Sequence, residues 1–301
     1  MSYAAPNRVS MEQDILTRVF IPASLAIIMF GMGLSLEVAD FRRLMRSPRA
    51  VATGLVAQMI LVPVIGFLVV ALLSPRPVLA AGVMIIAFCP GGAVSNLIAH
   101  LACGNTALSV TLTAVSSVLA VLTIPHLVNA ALAWQLGRAT PFELPLLATT
   151  AQLASITIVP IVAGMTIRRV ARKFAERSET AVKVLSGLFL FLVIVAAIGQ
   201  NVESLPRYLA EIGPALLLLN VLVIGAGFAS AHFAGLDLRD RLTISIEAGV
   251  QNGALGIAIP ATFVGNAEMA IPPAIYGVLM ILSSSVFILI GNRRQYHRDM
   301  G

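Results

Sequence analysis

The sequence predicts an all-α, polytopic membrane protein of nine transmembrane helices, two of them broken, arranged as an inverted repeat. Three observations lead there. The 301 residues are 58% hydrophobic and 11% charged, with mean hydropathy +0.93, whereas soluble domains carry about 25% charged residues. The apolar stretches are continuous rather than alternating, which reads as helices and not barrel strands. Two of these stretches carry helix-breaking residues at matching places.

At roughly 20 apolar residues per crossing, the spans fall near 15–36, 48–73, 78–101, 106–133, 143–167, 182–200, 208–234, 241–263 and 272–292. Residues 1–14 are polar without a strong basic run, and no small-residue cleavage site follows Ile15–Leu34. That first stretch is therefore expected to be a retained span rather than a signal peptide. The third span is interrupted by Cys89-Pro90-Gly91-Gly92. Proline lacks an amide hydrogen and the glycines are flexible, so helical hydrogen bonding should fail there. The eighth is weakened by Gly249 and Gly253, just beyond Glu247.

Each interrupted span follows one with a buried amide, Gln58 or Asn220. Each precedes one with clustered hydroxyls: Ser109, Thr113, Ser116 and Ser117 in one half, Ser283, Ser284 and Ser285 in the other. The two interrupted spans run in opposite directions across the membrane. Such a pair is the sequence sign of an inverted-repeat secondary transporter with its site near the midplane. Symmetry would call for five spans per half; the first half has four, so one amino-terminal helix is expected to be missing.

Orientation follows from the basic residues. Arg42, Arg43, Arg46 and Arg49 lie after the first span, and Arg168, Arg169, Arg172, Lys173, Arg177 and Lys183 in or beside the loop after the fifth. Arg239 and Arg241 precede the eighth, and Arg293, Arg294 and Arg298 follow the ninth. Fifteen of the 20 Lys and Arg thus fall on one side, which the positive-inside rule makes cytoplasmic. The expectation is a multi-pass inner (plasma) membrane protein, with residues 1–14 an extracytoplasmic tail and 293–301 a cytoplasmic one. A net charge of +6 spread through short loops fits topology control, not nucleic-acid binding. Two cysteines, Cys89 and Cys103, make no disulfide framework.

Glu247 carries the chemistry. It is the one acid deep inside an apolar segment, where a carboxylate costs at least a few kcal/mol and by default marks an ion or substrate pathway. Carbonyls freed at the first break, with the side chains of Ser95 and Asn96, become oxygen ligands. Ser109 and Thr113 are four residues apart and share a helix face. These four with Glu247 make an all-oxygen site for one Na⁺. A second Na⁺ could use Glu247, Gln251, the carbonyls of Ala248 and Val250, and the Gln58 amide. One negative charge among neutral oxygens suits a monovalent ion, since Ca²⁺ usually attracts more carboxylates.

Plainer readings stand beside these. Ser109 and Thr113 could bond back to their own helix, and Gln58 and Asn220 could be interhelical glue. The Pro90 segment alone could be a kink, and Cys89 a packing residue. His100, His126 and His232 show no metal-ligand spacing. An enzyme is disfavoured, because Glu247 has no second acid or nucleophile–base pair at its depth. A passive channel is disfavoured too, since polar residues concentrate at one depth instead of lining a path.

Four strings then resemble the bile acid:sodium symporter family: Phe30-Gly-Met-Gly-Leu34 with Asp40-Phe41-Arg42-Arg43 beyond it; Cys89-Pro-Gly-Gly-Ala-Val-Ser-Asn96; Gly104-Asn-Thr-Ala-Leu-Ser-Val110; and Glu247-Ala-Gly-Val-Gln-Asn-Gly253. The correspondence runs in order from about residue 15 to 292. The resemblance implies the nine-helix form of that fold. Its panel domain would hold the spans near 15–36, 143–167 and 182–200, and its core domain the other six. It also implies two Na⁺ per cycle driving uptake of a small organic anion. Carried over by position, Ser95, Asn96, Ser109, Thr113 and Glu247 match one sodium site, and Gln58, Glu247, Gln251, Ala248 and Val250 the other. Asn252, Ala93 and Asn220 are the substrate-side candidates. Ala93 stands where some relatives have Thr, and Met280-Ile281 where some have His-Asn. The substrate is therefore left open among bile-acid-like, pantoate-like and keto-acid carboxylates. A proton-coupled or efflux carrier of the related arsenite-exporter type, with Cys89 touching metalloid, is the alternative.

Overall fold

The computed structural model describes residues 16–41, 47–137, 144–199 and 202–299. Arg42, Arg43, Arg46 and the 1–14 tail lie outside the described residues, as do the side chains of Lys183, Arg293, Arg294 and Arg298. Among the described residues the protein is all-helical, with an isolated antiparallel bridge between Gly91 and Gln251 and no strand.

In chain order the helices are α1 (Ile21–Leu34), α2 (Pro48–Leu73), α3 (Pro77–Phe88), α4 (Ala93–Leu101), α5 (Thr106–Leu136) and α6 (Leu146–Val170). There follow α7 (Arg172–Gly199), α8 (Leu205–Phe233), α9 (Leu238–Gly249), α10 (Gly253–Ala258) and α11 (Ile271–Asp299). Five helices are long and apolar enough to cross a membrane: α2, α5, α6, α8 and Glu268–Leu289, which includes most of α11. Four shorter apolar helices accompany them: Arg18–Leu34, Pro77–Phe88, Val184–Gly199 and Gly253–Val264. This is a multi-pass membrane protein.

Local chemistry explains the ends. Proline occupies the first positions of α2, α3 and α8, where its missing N–H is no loss and its φ is preset. Asn105 caps α5 by accepting from the Leu108 N–H at 3.1 Å. Asp237 caps α9 through Asp240 N–H at 2.9 Å. The third predicted span is resolved into α3 and α4, separated by Cys89–Gly92. The eighth becomes α9 and α10, separated by Val250–Asn252, with α10 continuing as a π-helical stretch, Ile259–Val264.

Two boundaries differ from expectation. The basic stretch after the fifth span is a helical extension of α7 instead of a loop, and within it Arg172 pairs with Glu176 one turn on at 2.8 Å, a spacing that adds a little helix stability. The backbone of α11 likewise runs helically through most of the expected tail, to Asp299.

Within α2, residues Ala57–Leu61 are π-helical, the Val62 N–H reaching the Ala57 carbonyl. Pro63 follows and supplies no N–H of its own, which eases the wider turn. Gln58 lies in this stretch, where π-turns frequently mark functional positions.

Helix α1 packs along α6 and α7. Its seam with α6 is built on glycine: a Cβ at Gly164 would fall 2.5 Å from the Phe30 carbonyl, and one at Gly33 would meet the Ile161 backbone. Small residues let membrane helices approach this closely. Helices α8 and α9 are similarly close, with Gly227 against the Ile244 carbonyl and Ser245 Oγ donating to Ile224 O at 2.8 Å.

Candidate functional site: two helix breaks and a buried carboxylate

The two interruptions meet. Gly92 N–H donates to Val250 O at 3.2 Å and Asn252 N–H donates to Pro90 O at 2.8 Å. Backbone groups that a broken helix strands inside a membrane are thus satisfied by the other broken helix. Asn252 also caps α10, its Oδ1 accepting from Leu255 N–H at 3.0 Å.

Glu247, 2% exposed, lies near the end of α9 against this junction. Its Oε1 accepts from Ser95 Oγ at 2.6 Å and from Ser109 Oγ; its Oε2 accepts from Thr113 Oγ1 at 2.9 Å. Asn96 completes the group, its Oδ1 lying 2.8 Å from Ser109 Oγ and 3.3 Å from Thr113 Oγ1. Ser95 Oγ also lies 2.6 Å from Gly92 O and 3.4 Å from Thr113 Oγ1. The five residues matched to the first sodium set are therefore all gathered here.

Hydrogen counting characterises this cluster. The named groups make seven close oxygen–oxygen approaches, but Ser95, Ser109 and Thr113 bring only one hydroxyl hydrogen each. A proton on Glu247 would still leave the approaches outnumbering the hydrogens. Converging oxygens in excess of hydrogens offer several ligands to a small cation. The donor set fits a hard monovalent ion.

The second set is assembled in part. Gln58 Nε2 donates to Gln251 Oε1 at 2.7 Å and to Cys89 O at 2.9 Å. Gln251 Nε2 donates to Ala248 O at 2.8 Å. The Val250 carbonyl accepts the Gly92 N–H, so one of its two lone pairs is used. Gln58 Oε1 is buried and has no hydrogen-bond partner, an orphaned acceptor of the kind an ion would fill.

Of the substrate-side candidates, Ala93 opens α4 and is half-buried. Asn252 is buried, its Nδ2 4.0 Å from the Met29 sulfur of α1. Asn220 points at the end of α9, its Nδ2 donating to Gly249 O at 3.1 Å. The Cys89 thiol turns to Ile85 O of its own helix, at 3.3 Å. Ser283, Ser284 and Ser285 bond back to carbonyls of α11, as Ser116 does to Thr113 O of α5 at 3.2 Å.

Sequence reasoning missed three participants. Tyr276, 1% exposed, donates to Gly249 O at 2.9 Å; a lone tyrosine in an apolar run was the available signal. Asn105 and Thr243 bond each other, Asn105 N–H to Thr243 Oγ1 at 2.7 Å. They precede Ser109 and Glu247 by four residues each, so helical spacing already placed them on the same faces.

Comparison with known proteins gives the family. The family model described as "Sodium Bile acid symporter family" matches residues 22–207. The chain is 32% identical over 94% of its length to "Uncharacterized sodium-dependent transporter YocS" of Bacillus subtilis, covering 86% of that protein. It is 32% identical over 89% of its length to "Probable sodium/metabolite cotransporter BASS1, chloroplastic" of Arabidopsis thaliana, covering 66% of it. To "Sodium/bile acid cotransporter 4" of Mus musculus it is 30% identical over 90% of its length, covering 63%. These names describe transporters, not enzymes. By this match and these relatives, the chain belongs to the sodium bile acid symporter family.

Proposed function

We propose that this protein is a secondary active transporter that carries a small organic anion with Na⁺ by alternating access. The observation that carries this reading is the oxygen cluster around Glu247, which holds more close approaches than hydrogens. Na⁺ is cargo here: Ser95, Asn96, Ser109, Thr113 and Glu247 hold one ion, and Gln58, Gln251, Glu247 and the Ala248 and Val250 carbonyls hold a second. Because Ser95 and Glu247 come from the two broken helices, an ion between them ties those helices together. Coupling then requires that the ion favour the conformation that also binds the anion. Asn252 and Ala93, beside the junction, face that anion, and a carboxylate is the charge it would carry.

In this reading the chain makes nine crossings as an inverted repeat, amino terminus outside and carboxyl terminus in the cytoplasm, in the plasma membrane. Helices α1, α6 and α7 form the panel against which the remaining core moves. The ion pairs support that path. Arg76 pairs with Glu211 at 2.7 Å and Glu268 at 3.0 Å, all from segments the nine-span path puts on the outer side. Arg168 pairs with Glu37 at 3.1 Å, and Asn105 Nδ2 donates to Asp240 at 2.8 Å, all on the inner side. The Cys89 thiol, engaged within its own helix, gives the arsenite-exporter alternative no support.

The test is a thermal-unfolding screen of organic acids on the purified chain in NaCl and in KCl. A coupled ligand stabilises more with Na⁺ present. Glu247→Gln should remove the Na⁺ response; a variant that keeps the wild-type response refutes the assignment.

A further inference from the structure

At the end of α9, three successive carbonyls meet three different fates. Ala248 O accepts from Gln251 Nε2 at 2.8 Å and Val250 O from Gly92 N–H at 3.2 Å, leaving each a free lone pair. Gly249 O accepts twice, from Tyr276 Oη at 2.9 Å and Asn220 Nδ2 at 3.1 Å. Asn220 Nδ2 also lies 3.1 Å from the Tyr276 hydroxyl, closing a triangle. Both side chains are 1% exposed. They reach Gly249 from α11 and α8, two helices remote from the break in sequence. Gly249 itself is seated on α8, since a Cβ there would strike Ile224.

We infer that Tyr276 and Asn220 are positioning residues for the coupling ion, fixing which carbonyls of the broken α9 it can use. The last carbonyls of any helix lack intrahelical partners, so all three at this end could compete for a cation. Two donors saturate the middle one. The planar peptide between 249 and 250 is then fixed in orientation, and the neighbouring carbonyls at 248 and 250 are the ones left open. A simpler role, satisfying a buried carbonyl for stability alone, would involve the same contacts. The two roles part on cation affinity and selectivity. This inference rests on the sodium reading of the same junction.

The test uses the purified full chain, unfolded thermally across titrations of NaCl and LiCl at constant ionic strength made up with KCl. Tyr276→Phe keeps the ring and removes the donor; Asn220→Ser keeps polarity but shortens the reach. Each should raise the half-saturating Na⁺ concentration roughly fivefold to tenfold, about the worth of one hydrogen bond, and narrow the preference for Na⁺ over Li⁺. Wild-type half-saturation and Na⁺/Li⁺ preference in both variants would overturn the inference, leaving the sodium reading intact. So would a variant too unstable to purify at either position, which would make the pair a folding element. A wild-type protein indifferent to Na⁺ over K⁺ overturns the sodium reading and this inference together.

Discussion

The Asn252 N–H donates to the Pro90 carbonyl across 2.8 Å, joining two helix breaks 162 positions apart in the chain. Proline has no N–H of its own, yet its carbonyl, freed from a helix, becomes the anchor for the opposite break. With the return bond from Gly92 to Val250 at 3.2 Å, this pairing holds Ser95 and Glu247 at 2.6 Å. The Ser95–Glu247 contact thus lies three residues from the Gly92–Val250 backbone bond on each chain segment.

Gly91 is required for this closeness. A Cβ there would fall on Glu247 Oε2 and 3.5 Å from Thr113 Oγ1. Gly91→Ala should therefore push the carboxylate off the cluster and raise the half-saturating Na⁺ concentration at least tenfold, about 1.4 kcal/mol. Na⁺-dependent thermal unfolding measures it, and an unchanged midpoint would show that the carboxylate has room to spare.

Gln58→Leu removes the donor shared by Cys89 O and Gln251 Oε1. Buried acceptors left unpaired cost about 1–3 kcal/mol each, so the unfolding temperature should fall in KCl. Because Gln58 Oε1 is lost as well, the steepness of the Na⁺ titration should fall with it. A variant with lowered stability and an unaltered Na⁺ titration would make Gln58 glue alone.

Asp240, in the first turn of α9 and outside the apolar spans, has its carboxyl raised above the usual value by burial, with the Asn105 hydrogen bond opposing. A group whose folded pKa exceeds its unfolded one contributes stability below the unfolded pKa and loses it as pH rises through the folded pKa. Ionised Asp240 is thus a loss at neutral pH. Asp240→Asn, which still accepts from Asn105, should unfold at a higher temperature than wild type at pH 7, and the gap should close as pH falls below the carboxylate range. Unfolding curves at several pH values decide it; a destabilised variant at pH 7 would reverse the sign.

Gly164→Val tests the α1–α6 seam. The added side chain meets backbone at Phe30 and Leu34, which yields less readily than a side chain. Overpacking costs about 1–3 kcal/mol, and rigid neighbours favour the upper part of that range. Unfolding temperature in detergent is the readout, and tolerance of valine would mean that the two helices separate easily.

Much of the site was legible in the sequence. An acid inside an apolar run is costly wherever it folds, so Glu247 announced itself by solvation energy alone. Pro90 and its glycines marked one break because a missing N–H and flexible backbone act locally, and the spacing of Ser109 and Thr113 fixed their common face through helical period. What this left unread were relationships between distant segments. Tyr276 was an ordinary aromatic in an apolar stretch until the fold brought it to Gly249. Ser283, Ser284 and Ser285 looked equivalent to Ser109 and Thr113, yet they bond back to α11, as Ser116 does to α5. Local patterns cannot distinguish a hydroxyl aimed at its own helix from one aimed across.

By itself the sequence determined that this chain lives in a membrane as helices, that two of them must break, and where a charge would be stranded. Those are consequences of transfer energy and backbone chemistry, which depend on a residue and its near neighbours. Only the tertiary structure decided that the breaks pair with each other, that five oxygen-bearing residues converge with too few hydrogens, and that Gly249 is saturated while Ala248 and Val250 keep a lone pair. Hydrogen-bond inventories are settled by which groups meet, and meeting is a property of the packed whole.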